Sequence, residues 1–233
     1  RADKGLSRPF FCEGDDGNFY FVKGGNVSPD QLIIEYAISR LAEECGLPVA
    51  PLTLLEVPAA LSDYALIDHR EEFLPGVVFG SRRTPFAEEL RTSHVSQIDE
   101  ESRMRCLCFD WWVRNPDRCL GIVGGDPNVL WDPVEQGMVL IDHDHCLADD
   151  FEEEAFKRGH VFREIRPFLE KAFFERWRTT FESSIYNLES IWNEMPKTWF
   201  EDENGISKST LTRQSVEAAL IKPELPAEDI LPS

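Results

Sequence analysis

The apolar run Met138-Val139-Leu140-Ile141 leads directly into Asp142. Consecutive apolar residues of this type read as a short buried strand. A carboxylate that emerges from a buried strand is costly unless it is paired or holds a metal ion. Asp142 therefore constrains the fold more than any other residue, because the chain has to bring a cation to it. A second apolar run, Asn128 to Trp131, precedes it, and Asp132-Pro133-Val134-Glu135-Gln136-Gly137 reads as the turn between them. A hairpin of this kind sets the start of one strand against the end of the other, so Asn128 is expected close to Asp142.

The rest of the chain falls into strands first and helices later. Phe10–Glu13 and Asn18–Lys23 read as strands joined through Gly14-Asp15-Asp16-Gly17. In Ser28-Pro29-Asp30-Gln31, a capping serine, a proline at the first helical position and a glutamine at the third start a helix that runs to Gly46-Leu47-Pro48. Val49–Val57 reads as a strand and Tyr64–Ile67 as a weaker one. Pro75, Gly76, Gly80, Ser81 and Pro85 punctuate the stretch 68–98, which reads as mostly loop with a short helix near Phe86–Leu90. Asp99–Arg114 is helical in pattern and ends at Asn115-Pro116-Asp117. Glu152–Asn193 is helical with interruptions at Gly159 and Pro167, and a last helix is expected over Thr210–Ile221. This order predicts an α+β chain with two lobes: a β-rich lobe with one helix over 1–68, a connecting segment over 69–98, a mostly helical lobe over 99–222 and a mobile tail over 223–233.

Phosphoryl transfer needs a cation on the phosphates, oxygen ligands for magnesium and a carboxylate beside the attacking hydroxyl. The chain offers these parts in the order that a protein-kinase-like fold uses. Lys23 ends the strand Phe19-Tyr20-Phe21-Val22, where its ammonium can enter a cleft. Glu35 lies in the next helix among apolar neighbours and could orient that ammonium; the alternative is an exposed helical glutamate. In Asn115-Pro116-Asp117-Arg118, Asp117 would orient the acceptor hydroxyl while Asn115 and Arg118 brace the loop. The alternative there is a helix-ending turn with solvated charges. Asn128 and Asp142 are the magnesium ligands on this reading.

Charge narrows the partners. Lys and Arg number 24 against 43 Asp and Glu, a net charge of −19, and such a surface repels phosphate backbones. Nucleic acid is not an expected partner. The six cysteines form no spacing framework, so a reducing, cytoplasmic setting is expected. No apolar run is long enough for a membrane span, and no membrane partner is expected. The oligomeric state is left open.

The runs FDWWVRNPDR at 109–118, DPNVLW at 126–131 and MVLIDHDHCL at 138–147 resemble the catalytic segment of HipA-like kinases. The likeness is closest to the short domains of that kind in bacterial proteins and extends more distantly to phosphatidylinositol 4-kinases. GLSRPFFCEGDDGNFYFVKG at 5–24 resembles the family's phosphate loop and lysine strand, and GVVFGSR at 76–82 a further family segment. The resemblance implies a bilobal kinase-like fold, ATP and Mg2+, and serine/threonine phosphorylation of a protein substrate. It implies Lys23 on the phosphates, Asp117 as the catalytic aspartate, Asn128 and Asp142 on magnesium, and Ser7 in the loop over the phosphates. Family members usually have a shorter gap before the metal-binding asparagine. Here Cys119–Gly125 lengthens it, which makes Asp126 a competitor of Asn128 and allows a catalytically weak or inactive nucleotide-binding module. The run Asp142-His143-Asp144-His145 also invites a metal-dependent hydrolase, but His69, His94 and His160 have no convincing partners in the sequence. If the run is a strand, Asp142 and Asp144 share one face, and His143 in the kinase reading would support Asp142 by a hydrogen bond.

Overall fold

The computed structural model describes residues 9–64, 75–120, 127–221 and 230. A four-stranded antiparallel sheet in the order β1-β2-β4-β3 forms the N-terminal lobe, from β1 (Phe10–Glu13), β2 (Phe19–Lys23), β3 (Leu52–Val57) and β4 (Gly76–Arg82). Strand alternation decides which way β2 faces. Tyr20 and Val22 join Val57 and Val78 in a small apolar cluster, which turns Phe19, Phe21 and Lys23 to the other face of the sheet.

Helix α1 (Pro29–Glu44) starts as its sequence dictates. The Ser28 hydroxyl accepts from the Gln31 amide at 3.2 Å, and the Gln31 side chain accepts from the Ser28 amide at 3.1 Å. Its residues Ile33, Ala37, Ile38, Leu41 and Ala42 are fully buried, and they belong to the large core, which also takes in Phe79 of the N-terminal sheet. Helix α1 thus packs against both the sheet and the later helices.

Sheet and helix also mix at the junction. β5 (Glu88–Glu89), β6 (Val129–Asp132) and β7 (Gly137–Leu140) make a second antiparallel sheet, with Glu88 opposite Trp131 and Val129 opposite Leu140. The segment leading into β3 hydrogen-bonds to β7, through Leu140 N to Pro48 O at 2.7 Å and Ala50 N to Leu140 O at 3.0 Å. Two short helices, α2 (Ala59–Tyr64) and α3 (Thr92–Val95), flank the strands that join the lobes. Helix α4 (Glu100–Trp112), capped by the Asp99 carboxylate, buries Met104, Leu107, Phe109 and Trp111 against the helices that follow. These are α5 (Glu153–Gly159), α6 (Lys171–Ser184), α7 (Leu188–Glu194) and α8 (Arg213–Ile221), with a 3-10 turn over Arg163–Phe168 that contains Pro167.

The architecture is the expected α+β fold, a small antiparallel N-terminal sheet beside a helical C-terminal region. The stretch 68–98 differs from its sequence reading. It holds β4, which pairs with both β2 and β3, and β5 in place of the short helix near Phe86–Leu90. Val78, Phe79 and Gly80 are buried in succession, so the alternation that marks a half-exposed strand is missing. Gly80 read as punctuation, yet a Cβ there would lie 2.5 Å from Leu55 Cδ1; the glycine lets the neighbouring strand's side chain across. Tyr64 closes α2 and does not begin a strand. Residues 65–67 and, apart from Ile230, the 223–233 tail lie outside the described residues.

Because Ile38 is fully buried in the shared core, Ile38→Ala is expected to lower the unfolding free energy by about 2–4 kcal/mol, measured by urea denaturation. A loss well under about 1 kcal/mol would mean that α1 is not packed in this way.

Candidate active site

Glu35 and Ser39, one turn apart on α1, face the segment that follows β7. Glu35 Oε2 accepts the His143 backbone amide at 3.1 Å and the Lys23 ammonium at 2.9 Å. Ser39 Oγ lies 2.8 Å from His143 Nδ1. Lys23 is also bonded to Asp142 Oδ1 at 2.6 Å and to Asp144 Oδ2 at 3.1 Å. A single ammonium, 5% exposed at the residue level, thus meets three carboxylates carried by two different parts of the chain.

The electrostatics follow from that imbalance. Burial works against the Lys23 charge, but Glu35, Asp142 and Asp144 outweigh it and raise the ammonium's pKa. Burial pushes the Glu35 carboxyl above its ordinary range, and burial with the nearby Asp142 charge raises Asp144 to about 6. Burial opposes ionisation of Asp142 too, yet the Lys23 ammonium prevails and holds it at about 2. Glu35, Asp142 and Asp144 offer oxygens within 4.8 Å of one another, so the cluster is short of positive charge.

A second buried hub lies behind the segment between α4 and β6. Asp110 on α4 accepts Asn115 Nδ2 at 3.0 Å on one oxygen, and Arg118 Nε at 2.7 Å and His160 Nε2 at 3.0 Å on the other. Asn115 Oδ1 receives the Asp117 amide at 3.1 Å. Arg118 Nη1 donates to the Asn128 carbonyl at 2.6 Å and to the Ile141 carbonyl at 3.4 Å. Asn128 Nδ2 donates to Asp117 Oδ2 at 2.9 Å. Asn128 and Asp142 both have left-handed backbones, with φ of 52° and 58°. That region is sparsely populated by non-glycine residues, and here Arg118 ties down the carbonyls of Asn128 and of Ile141.

Between the sheets lies a cavity of about 310 Å³. Phe21, Ala50, Phe79, Leu130 and Ile141 form apolar walls, Arg83, Thr84 and Ala87 line the strand-to-strand connection, and Lys23, Glu35, Asn128 and Asp142 form an ionic end. Such a cavity has the apolar walls that suit a flat, partly apolar molecule, and its ionic end carries an excess of carboxylates over ammonium.

The fold and this site define a kinase-like phosphotransferase. The chain belongs to the HipA-like kinase family, whose family model matches residues 1–226. A search among curated proteins gives no match.

The sequence placed Lys23, Glu35, Asn128 and Asp142 in one cleft, and all four line the cavity. Asp117 is exposed and reaches this group through Asn128. Asn115 and Arg118 are buried at 1% and 0% exposure and do not line the cavity, so they brace without touching a ligand there. Ser7 and Asp126 lie outside the described residues. Two readings are corrected. His143 does not hydrogen-bond Asp142 through its ring; the segment leaves the strand at Leu140, and the ring turns to Ser39. His160 does have a partner, Asp110. Among the described residues, the two sets able to hold a metal by proximity are Glu35/Asp142/Asp144 and Cys106/Asp110/His160. The first takes Asp142 and Asp144 from the Asp142–His145 run but neither of its histidines, and in the second the Arg118 guanidinium already occupies Asp110. Asp110 was missed, although it stands between Phe109 and Trp111 on an apolar helix, the same signal that picked out Glu35, and Asp144 was read only within the hydrolase alternative.

Burial lowers the His143 imidazole to about 3. Its folded pKa lies below its unfolded value near 6.5, so the unfolded chain takes up the proton first. Stability from this residue is intact above about pH 6.5 and drains as pH falls toward 3. Between pH 7 and pH 5 the wild type should lose about 2 kcal/mol more unfolding free energy than His143→Gln in chemical denaturation. Equal losses would show that the imidazole is already solvated.

Proposed function

We propose that this chain is an ATP- and magnesium-dependent kinase that transfers the γ-phosphoryl group to a serine or threonine of a protein. The observation that carries the reading is the convergence of Lys23, Glu35, Asn128 and Asp142 at the ionic end of an apolar-walled cleft. In this reading the adenine sits between Phe21 on one side and Leu130 and Ile141 on the other, beside the connection at Arg83–Ala87. The triphosphate points to Lys23, which keeps its bond to Glu35 and gives up Asp142 for phosphate oxygens. Glu35, fixed on a packed helix, fixes the ammonium in turn.

Magnesium fits the donor chemistry of the site. Asn128 and Asp142 supply oxygen donors, the cluster lacks positive charge, and the His143 ring faces Ser39. Asn128 and Asp142 would hold the ion, which when bound neutralises charge on the phosphate oxygens. Asp117 accepts the proton of the incoming hydroxyl or orients it. Asn128, donating to Asp117 at 2.9 Å, keeps that carboxylate beside the metal-binding side chain. Net charge −19 argues for a protein acceptor over a nucleic acid, and no helix among the described residues is long and apolar enough to cross a membrane. The six cysteines are free, which suits the cytoplasm. A nucleotide-binding module without transfer remains the rival, favoured by the lengthened 119–127 segment; the two readings part at Asp117.

Asp117→Ala is expected to cut phosphoryl transfer, followed with labelled ATP and mass spectrometry, by about 100-fold or more with ATP affinity within about threefold of wild type. Undiminished turnover would remove Asp117 from the mechanism. For Asp142→Ala, the rise in melting temperature that magnesium adds to ATP should vanish while the fold, by circular dichroism, is kept. A magnesium-dependent shift of wild-type size in that variant would refute the metal assignment.

A further inference from the structure

Asp110 stands at one remove from Asp117, Asn128 and the peptide that leads into Asp142. Through Asn115 it holds the Asp117 amide, and through Arg118 it holds the carbonyls of Asn128 and Ile141, the latter in the peptide that leads into Asp142. All of the intermediaries are buried, so water does not compete for these bonds. The orientation of one carboxylate is thereby transmitted to both ends of the β6–β7 hairpin and to the loop before it.

His160 fixes that orientation. Its Nδ1 accepts the Phe162 amide at 3.1 Å, so that nitrogen carries no proton and Nε2 carries it. Nε2–H then donates to the same Asp110 oxygen that receives Arg118. The backbone around His160 is bound to the same loop: Val161 N donates to Arg118 O at 2.9 Å, and Leu120 N to Gly159 O at 3.2 Å. A ring that follows α5, 50 residues along the chain from Asp110, is held in one tautomer against the carboxylate that supports the loop.

We propose that Asp110 and His160 are positioning residues for phosphoryl transfer, with His160 Nε2–H setting the rotamer of Asp110 and, through Asn115 and Arg118, the placement of Asp117, Asn128 and Asp142. The inference rests on the proposed function but concerns residues that touch neither nucleotide nor metal. Support of this kind is worth about 10–100-fold in metal affinity or activity where ligands depend on their hydrogen-bonded neighbours.

Two variants separate the two ring nitrogens. His160→Gln places an amide N–H where Nε2–H was, and His160→Asn can replace only the Nδ1 acceptor. With the full chain, amide hydrogen exchange is followed over 115–120 and 128–143, and ATP affinity is measured by calorimetry in EDTA and in magnesium. His160→Asn should speed exchange in both segments and lower the magnesium-dependent gain in ATP affinity about tenfold, leaving affinity in EDTA within about twofold. His160→Gln should restore exchange and the magnesium gain to near wild type. Equal behaviour of the two variants, whether both intact, both impaired or both unfolded, overturns the proposal, because the donor is then irrelevant. A wild-type protein that gains no ATP affinity from magnesium refutes the functional reading, and the exchange measurement still decides the positioning claim.

Discussion

A nearly dry lysine ammonium has to be surrounded by anions, and around Lys23 those anions come from two segments far apart in the chain. Glu35 belongs to α1, and Asp142 and Asp144 follow β7. Removing Lys23 would leave three carboxylates uncompensated in a site that water barely reaches, a change that costs several kcal/mol. The cluster therefore exists only when β2, α1 and the segment after β7 are all in register. Assembly of the fold and assembly of the site are one event, and an excess of acid over base is left in the cleft.

α1 cannot leave that cluster cheaply. Its apolar residues sit in the large core, and polar ties hold its length from outside. Asp30 in the first turn accepts from Ser209 Oγ at 2.5 Å and from Thr210 Oγ1 at 2.7 Å. Farther along, the Tyr36 hydroxyl donates to Glu194 at 2.7 Å, and Asn187 donates to Glu44 at 3.1 Å. Trp199, whose ring edge meets Tyr36, donates to the Val77 carbonyl in β4 at 3.0 Å. The last third of the chain thus holds both the helix with Glu35 and the sheet with Lys23. In physical terms the Lys23–Glu35 geometry is set before any ligand arrives, which removes part of the ordering cost from binding.

How much of this was legible depends on whether the signal was local. The capped start of α1, the β6–β7 hairpin and Asp142 at the end of an apolar strand are all written in short runs, and each was readable. β4 was not, because Gly80 serves a close approach by Leu55 that only the sheet reveals. His160 looked solitary because its partner Asp110 is 50 residues away. Asp144 was read as part of the Asp142–His145 run, for a hydrolase metal and for the strand face it would share with Asp142. The chain turns after Leu140, and both acids still reach Lys23, for a reason other than strand alternation. Long-range polar pairs leave no periodicity behind, whereas caps, turns and apolar runs do.

The two buried hubs divide the work by the kind of atom they hold. Lys23 contacts side-chain carboxylates, which a phosphate or a cation can replace, so this hub can be rearranged by ligand. Arg118 instead contacts the backbone carbonyls of Asn128 and Ile141, for which no ligand competes, and its carboxylate partner Asp110 is fully enclosed. Left-handed backbone at Asn128 and Asp142 costs on the order of 1 kcal/mol or more at each, and it persists because this second hub is fixed. A fixed cation on the backbone and an exchangeable cation on the side chains would let Asp142, in the proposed function, pass between lysine and metal without moving its main chain.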